Sequence, residues 1–145
     1  MRSTRTALTA VLLASAAFSL AACQQMSAPA SNGEPATWHL ADPTAVTADS
    51  EQIDIEVTRL GCASGTTGEV LEPQVTYEAE QILIRVDVAP VGGGPQSCPG
   101  NDAVRISVAL TEPLGSRALV DGGCALEGVG TTAECAETAI RFDGV

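Results

Sequence analysis

This chain of 145 residues contains no lysine and very few aromatic side chains: one tryptophan, one tyrosine and two phenylalanines. Without lysine, all of its positive charge comes from seven arginines, against eighteen acidic residues. Scattered arginines in a chain of net charge −11 form no basic stripe, so nucleic acid is not an expected partner. Histidine is equally scarce. The only one is His39, so a catalytic Ser-His-acid triad would have to use this residue.

The longest uncharged, mostly apolar run covers residues 7–20 and follows Arg2 and Arg5. A short basic head, an apolar run and then small residues is the order of a secretory signal, and the run is too short for a membrane-spanning helix. The residues that close it, Leu20-Ala21-Ala22-Cys23, resemble the lipobox of bacterial lipoprotein precursors. The resemblance implies cleavage after Ala22 and a diacylglycerol on Cys23, whose two acyl chains would hold the exported protein on a membrane. The alternative is a secreted protein in which Cys23 is a free thiol.

Removal of the signal would take away Arg2 and Arg5 and lower the net charge from −11 to −13. Four cysteines would remain besides Cys23, and an even number in an oxidising compartment predicts two structural disulfides. No two cysteines are separated by two residues, so neither a redox-active pair nor a zinc knuckle is indicated, and no cofactor is expected. Of the three possible pairings, Cys62–Cys98 and Cys124–Cys135 are favoured. The second closes a short local loop, and the first joins two long loops.

Composition divides the chain into a signal peptide (1–22), a lipidated cysteine with a disordered tether (23–50) and a folded domain (51–145). The tether is rich in Ala, Ser, Thr and Pro and offers too little apolar surface to offset its ordering entropy. Trp38 and His39 interrupt this composition. They indicate either a short docking patch or, as the favoured interpretation, a tryptophan that packs on the domain or marks an earlier domain start.

From Glu51 onwards, apolar residues alternate with polar ones, as in strands with one buried face. The pattern predicts six strands and no helix, at about 53–57, 70–77, 82–88, 104–110, 117–120 and 138–142. Short strands separated by Gly- and Pro-rich turns favour an all-β fold, an immunoglobulin-like antiparallel β-sandwich. If successive strands alternate in direction, the four cysteines meet at one end of the sandwich.

Two long loops at that end, 61–70 and 94–102, are the candidate binding surface for an envelope protein or glycan, because loops on a rigid scaffold often carry function. Their candidate binding residues are Ser64, Thr66, Thr67, Glu69, Asn101 and Asp102. A Ca²⁺-stabilised or small-ligand-binding module is the alternative, since oxygen donors suit Ca²⁺. Its candidate metal ligands are Asp102, Asp121 and Glu127, with Glu69, Asn101 and Glu134 near them.

An enzyme is the least expected function. Ser64 lies in a Gly61–Gly65 segment that superficially resembles a nucleophile elbow, but that motif needs a helix after the serine and none is predicted. His39, the only histidine, falls in the predicted tether. The sequence therefore predicts no catalytic residue.

Three segments also resemble small lipoproteins and secreted proteins of high-GC bacteria, above all actinobacteria. They are TRLGCASG at 58–65, CPGND at 98–102 and LVDGGC at 119–124. The similarity covers about residues 53–135. In each of the three segments, a cysteine stands beside residues at the end of a predicted strand. It implies a cell-envelope setting and no particular activity.

Overall fold

The computed structural model describes residues 33–144. The predicted signal peptide, Cys23 and the first part of the predicted tether lie outside this range. Eight strands form two four-stranded sheets, which confirms the all-β sandwich. The strands are β1 (Glu34–Leu40), β2 (Gln52–Arg59), β3 (Gln74–Tyr77), β4 (Gln81–Arg85), β5 (Asp87–Val88), β6 (Val104–Ala109), β7 (Ala118–Asp121) and β8 (Ile140–Phe142).

The first sheet has the order β5-β1-β2-β6 and is antiparallel throughout. The second has the order β3-β4-β7-β8, and its central pair, β4 and β7, is parallel. This sheet is therefore mixed. The parallel pair follows from the alternation of strand directions along the chain, which gives β4 and β7 the same direction.

The core lies between the sheets and is almost entirely aliphatic. Along β2, residues Ile53, Ile55 and Val57 are buried, while the residues between them are at least partly exposed. Along β4, Ile82 and Ile84 are buried in the same way, and the residues on either side of them are partly exposed. The two-residue period of the sequence thus identifies the core-facing side of both sheets.

The predicted tether is wrong over its second half. β1 lies within it and pairs with β2 from Ala36↔Arg59 to Leu40↔Ile55. Ala36 and Trp38 are fully buried, whereas His39 is exposed. The folded domain therefore starts at β1 and not at residue 51, in agreement with the favoured interpretation of Trp38.

The predicted strand at 82–88 is two strands in two sheets. β4 ends at Arg85, and β5 begins at Asp87 on the edge of the other sheet, next to β1. The predicted strand at 70–77 is reduced to β3, with Val70 forming an isolated bridge to Val88. A one-turn helix, α1 (Ala133–Ala136), and two 3₁₀ turns, Pro43–Ala45 and Gly122–Ala125, occur where no helix was predicted.

Both predicted disulfides are confirmed, with S–S distances of 2.02 Å for Cys62–Cys98 and 1.96 Å for Cys124–Cys135. Two disulfides in one small domain indicate an oxidising, extracytoplasmic environment. Among residues 33–144, no helix has the length and apolar character needed to cross a membrane.

Candidate functional site

The loops at 61–70 and 94–102 form one continuous structure, called here the two-loop surface. The Cys62–Cys98 disulfide joins them, and the backbone N–H of Ser64 donates to the carbonyl oxygen of Ser97 at 2.9 Å. The N–H of Asp102 donates to the carbonyl of Gly65 at 3.1 Å. Most residues of both loops are nevertheless exposed. The protein thus presents a broad loop surface that is fixed at several points.

Arg59, the last residue of β2, is buried against this surface and stabilises it through hydrogen bonds. Its side chain is completely buried, and its guanidinium pairs with Glu34 and donates to the carbonyl oxygens of Thr67, at 3.1 Å, and Ala89. A buried guanidinium is tolerated only when its donors find acceptors. Arg59 thereby ties the start of β1, loop 61–70 and the chain after β5 together. No sequence pattern indicated this role.

Three of the predicted binding residues serve the internal structure of the two-loop surface. The buried hydroxyl of Thr67 accepts from the N–H of Arg59 at 3.1 Å and donates to the carbonyl of Asp102. The carboxylate of Asp102 accepts from the N–H of Thr67 at 2.6 Å. The amide of Asn101 donates to the carbonyls of Arg59 and Gly61 at 2.9 and 2.8 Å.

The other three predicted binding residues, Ser64, Thr66 and Glu69, are exposed. Ser64 and Gly65 both have positive φ, 55° and 96°, in the turn closed by the bond from Thr66 N–H to the carbonyl of Ala63. The hydroxyl of Ser64 forms hydrogen bonds with Gln96 and Ser97, and no helix directly follows this residue. His39, the only histidine, lies on β1 and not in this loop. The sequence signal for a nucleophile elbow is thus a tight turn in a loop.

A second cluster surrounds Asp121 at the end of β7, beside the Cys124–Cys135 disulfide. One carboxylate oxygen accepts from the hydroxyl of Thr37 at 2.8 Å, the N–H of Trp38 at 3.3 Å and the guanidinium of Arg141 at 2.9 Å. The other accepts from the N–H of Gly123 at 3.0 Å. The side chains of Arg141 and Asp121 are only 6% and 0% exposed. This buried ion pair joins β1, β7 and β8.

The candidate Ca²⁺ ligands Asp102, Asp121 and Glu127 are not brought together in the part of the chain that the structure describes. Within residues 33–144, the only three His, Cys, Asp or Glu side chains whose ligand atoms come within 4.8 Å of one another are Asp121, Cys124 and Cys135. Both of these cysteines are in a disulfide, and the oxygens of Asp121 already accept four hydrogen bonds. Long-range bonds of this kind leave no mark on local sequence.

Every arginine in the described part of the chain is paired with a carboxylate. The pairs are Arg59–Glu34, Arg85–Asp87, Arg105–Asp54, Arg117–Glu112 and Arg141–Asp121. Of the eighteen acidic residues, all of which lie in this range, thirteen are outside these pairs. The negative charge of the domain is therefore spread over carboxylates that no arginine neutralises.

Two cavities lie side by side near the two disulfides. One, of about 270 Å³, is lined by both cysteines of the Cys62–Cys98 bridge, Asn101 and Glu134. The other, of about 390 Å³, is lined by His39, Leu40 and Pro43 on one side and by residues 133–141 on the other, Glu134 included. Glu134 thus separates the cavities, and it places α1 close to the Cys62–Cys98 bridge, as expected if the cysteines share one end of the sandwich.

No protein-family model matches this chain, and neither does any curated protein or solved structure.

Proposed function

We propose that this chain is an exported lipoprotein, held on a membrane through Cys23, that binds a protein or glycan of the cell envelope through its two-loop surface. The proposal assigns no reaction to the chain. Its anchoring part is supported by the lipobox-like residues Leu20-Ala21-Ala22-Cys23 and by the two disulfides, which require an oxidising compartment.

One observation supports the binding part: the extent to which exposed loops are fixed. A disulfide, the buried guanidinium of Arg59 and the bonds of Thr67 and Asn101 all hold the two-loop surface in one conformation. Loops that only connect strands need none of these bonds. Loops already ordered in the free protein lose less conformational entropy on binding, so a fixed loop surface favours recognition of a partner.

The start of β1 limits the distance between this surface and the membrane. If Cys23 carries the lipid, only residues 24–33 connect it to β1. Ten residues span at most about 35 Å when fully extended. The partner would accordingly be a component that lies close to the membrane surface.

The anchor is tested by replacing Cys23 with Ser in the full-length chain and separating membrane and soluble fractions after a high-salt wash. We expect the wild-type protein in the membrane fraction, labelled by palmitate fed to the cells, and the variant in the soluble fraction without label. Retention of unlabelled Cys23→Ser in the membrane fraction would contradict the anchor.

The binding role is tested with a photo-crosslinking amino acid at Thr66, which is exposed in the two-loop surface. The control carries the same group at Glu80, an exposed position in the turn between β3 and β4. On illumination of intact cells, we expect one dominant adduct from position 66 that is absent from position 80. Equal adducts from both positions, or none from position 66, would refute the role.

A further inference from the structure

The larger cavity lies between two parts of the chain that are distant in sequence. The end of β1 and the Pro43–Ala45 turn form one wall, through His39, Leu40 and Pro43. The other wall is formed by α1 and β8 and the residues between them. Its volume is about 390 Å³, enough for a few amino-acid side chains. It adjoins the cavity beside the two-loop surface at Glu134, and it plays no part in the proposed binding role.

The apolar part of this cavity includes Ile140 on β8, whose exposure is 47%. No other large hydrophobic residue in the part of the chain that the structure describes is exposed to this degree. Leu40 and Pro43 face the same cavity. An aliphatic side chain placed there would cover Ile140 and bury apolar surface on both partners.

The charged part consists of Glu134 and Glu137, three residues apart on α1 and its C-terminal end. Both are exposed, and neither belongs to any of the five ion pairs. The only arginine of the cavity wall, Arg141, is already paired with Asp121. The cavity therefore presents two carboxylates without a counter-charge, which attract a cation and repel an anion.

The cavity wall also offers a backbone hydrogen-bond donor, the N–H of Leu40. The N–H of Ala41 donates to Asp54 on β2, so alternation along the strand directs the N–H of Leu40 to the opposite side. Trp38, on that same side, donates to Asp121. Because β5 covers β1 only at Glu34 and Pro35, it does not reach Leu40.

We propose that this cavity binds an extended basic segment of a partner protein, in which a lysine or arginine stands beside an aliphatic residue. The cationic side chain pairs with Glu134 and Glu137, and the aliphatic side chain packs on Ile140. A backbone carbonyl oxygen of the segment accepts from the N–H of Leu40. Cation, apolar side chain and carbonyl occur together in a basic peptide. A glycan without free amino groups would lack the cation, and the cavity has no tryptophan or tyrosine on which a sugar could stack.

The test measures binding of a fluorescein-labelled pentapeptide of alternating lysine and valine by fluorescence anisotropy. The protein is the full-length chain in a nonionic detergent, and titrations into detergent alone are subtracted. We expect saturable binding that is absent with a peptide of alternating glutamine and valine. In Glu134→Gln/Glu137→Gln, the affinity should fall about tenfold, because two ion pairs are lost.

The matched control is Glu78→Gln/Glu80→Gln, which removes the same charge from two exposed residues in the turn between β3 and β4. We expect less than a twofold change in affinity, with far-UV circular dichroism unchanged in both double variants. Equal weakening by the two double variants would show general attraction to an acidic protein and overturn the proposal. So would unchanged binding in the cavity variant, or equal binding of the neutral peptide. None of these outcomes depends on the lipid anchor.

Discussion

The indole N–H of Trp38 donates a hydrogen bond to the carbonyl oxygen of Ile84, 46 residues later in the chain and 2.8 Å away. Trp38 lies on β1 and Ile84 on β4, so the bond links the two sheets through the core. Both side chains are fully buried. A tryptophan that holds two sheets together is part of the folded domain and not of its linker.

Trp38→Ala should lower the free energy of unfolding by about 3–5 kcal/mol, because it leaves a large cavity in an aliphatic core. Urea denaturation followed by circular dichroism measures the loss. His39→Ala, at the exposed neighbour, is the control and should change stability by less than about 0.5 kcal/mol. A similar small effect of both substitutions would mean that β1 does not contribute to the core.

Asp121→Ala should destabilise the protein by about 3–5 kcal/mol, because it leaves the guanidinium of Arg141 buried without its counter-charge. The double variant Asp121→Ala/Arg141→Met should lose less than the sum of the two single variants, since no uncompensated charge remains. Denaturation of the wild type, both single variants and the double variant completes the cycle. Additive losses would contradict an energetic coupling between the two residues.

The two disulfides should differ in their contributions. They close loops with sequence separations of 36 and 11 residues. In the chain-entropy model, these correspond to about 4 kcal/mol for Cys62–Cys98 and about 3 kcal/mol for Cys124–Cys135. Replacement of each pair by serines, followed by chemical denaturation, measures both contributions. A larger loss on removal of Cys124–Cys135 would show that native contacts, and not loop closure, determine their order.

The carboxyl group of Asp54 should titrate below its ordinary range. Hydrogen bonds from the hydroxyl of Ser107, at 2.6 Å, and from Arg105, at 2.9 Å, lower the pKa of Asp54. A carboxyl group whose pKa is lower in the folded state stabilises the fold above the unfolded pKa, and this contribution is lost as the pH falls through the folded value. Stability from this group should accordingly decline below about pH 4.

An NMR titration of the side-chain carboxyl carbons tests this in the wild type and in Ser107→Ala. The substitution should raise the pKa of Asp54 toward its ordinary value. Asp42 is the internal control: its pKa is lowered by hydrogen bonds from Thr44, so it should be the same in both proteins. An unchanged Asp54 titration in the variant would contradict the role of Ser107.

Much of the fold could be predicted because alternating burial is a local signal. β2, β4 and β6 follow from it, and the disulfide pairing follows from the loops in which the cysteines lie. β1 lacks this signal, because Ala36, Thr37 and Trp38 are buried in succession, and Pro35 and the Ala- and Thr-rich surroundings resemble a linker. The change of sheet after Arg85 cannot be predicted from the sequence, for a different reason. Ile84, Val86 and Val88 all face the same core, so the two-residue period continues across it.

The candidate sites were less predictable because they depend on bonds between distant residues. Thr37 and Arg141 are hydrogen-bonded across 104 residues, and Arg59 and Glu34 are paired across 25. Neither pair has a spacing that repeats or a motif that marks it. Sequence indicated which loops are exposed, whereas the buried arginines that fix them, and the cavity beside Ile140, could only be found in the folded chain.

The pairing of every arginine with a carboxylate also bears on how the domain is degraded. A trypsin-like protease cuts after lysine or arginine, and the domain has only arginine. The side chains of Arg59, Arg85, Arg117 and Arg141 are at most 15% exposed, and only Arg105 is open to solvent, at 60%. Arg105 lies within β6, whose backbone is paired with β2. The folded domain should therefore resist such proteases in an environment where they are abundant. The first cleavage of the domain should occur only after it unfolds.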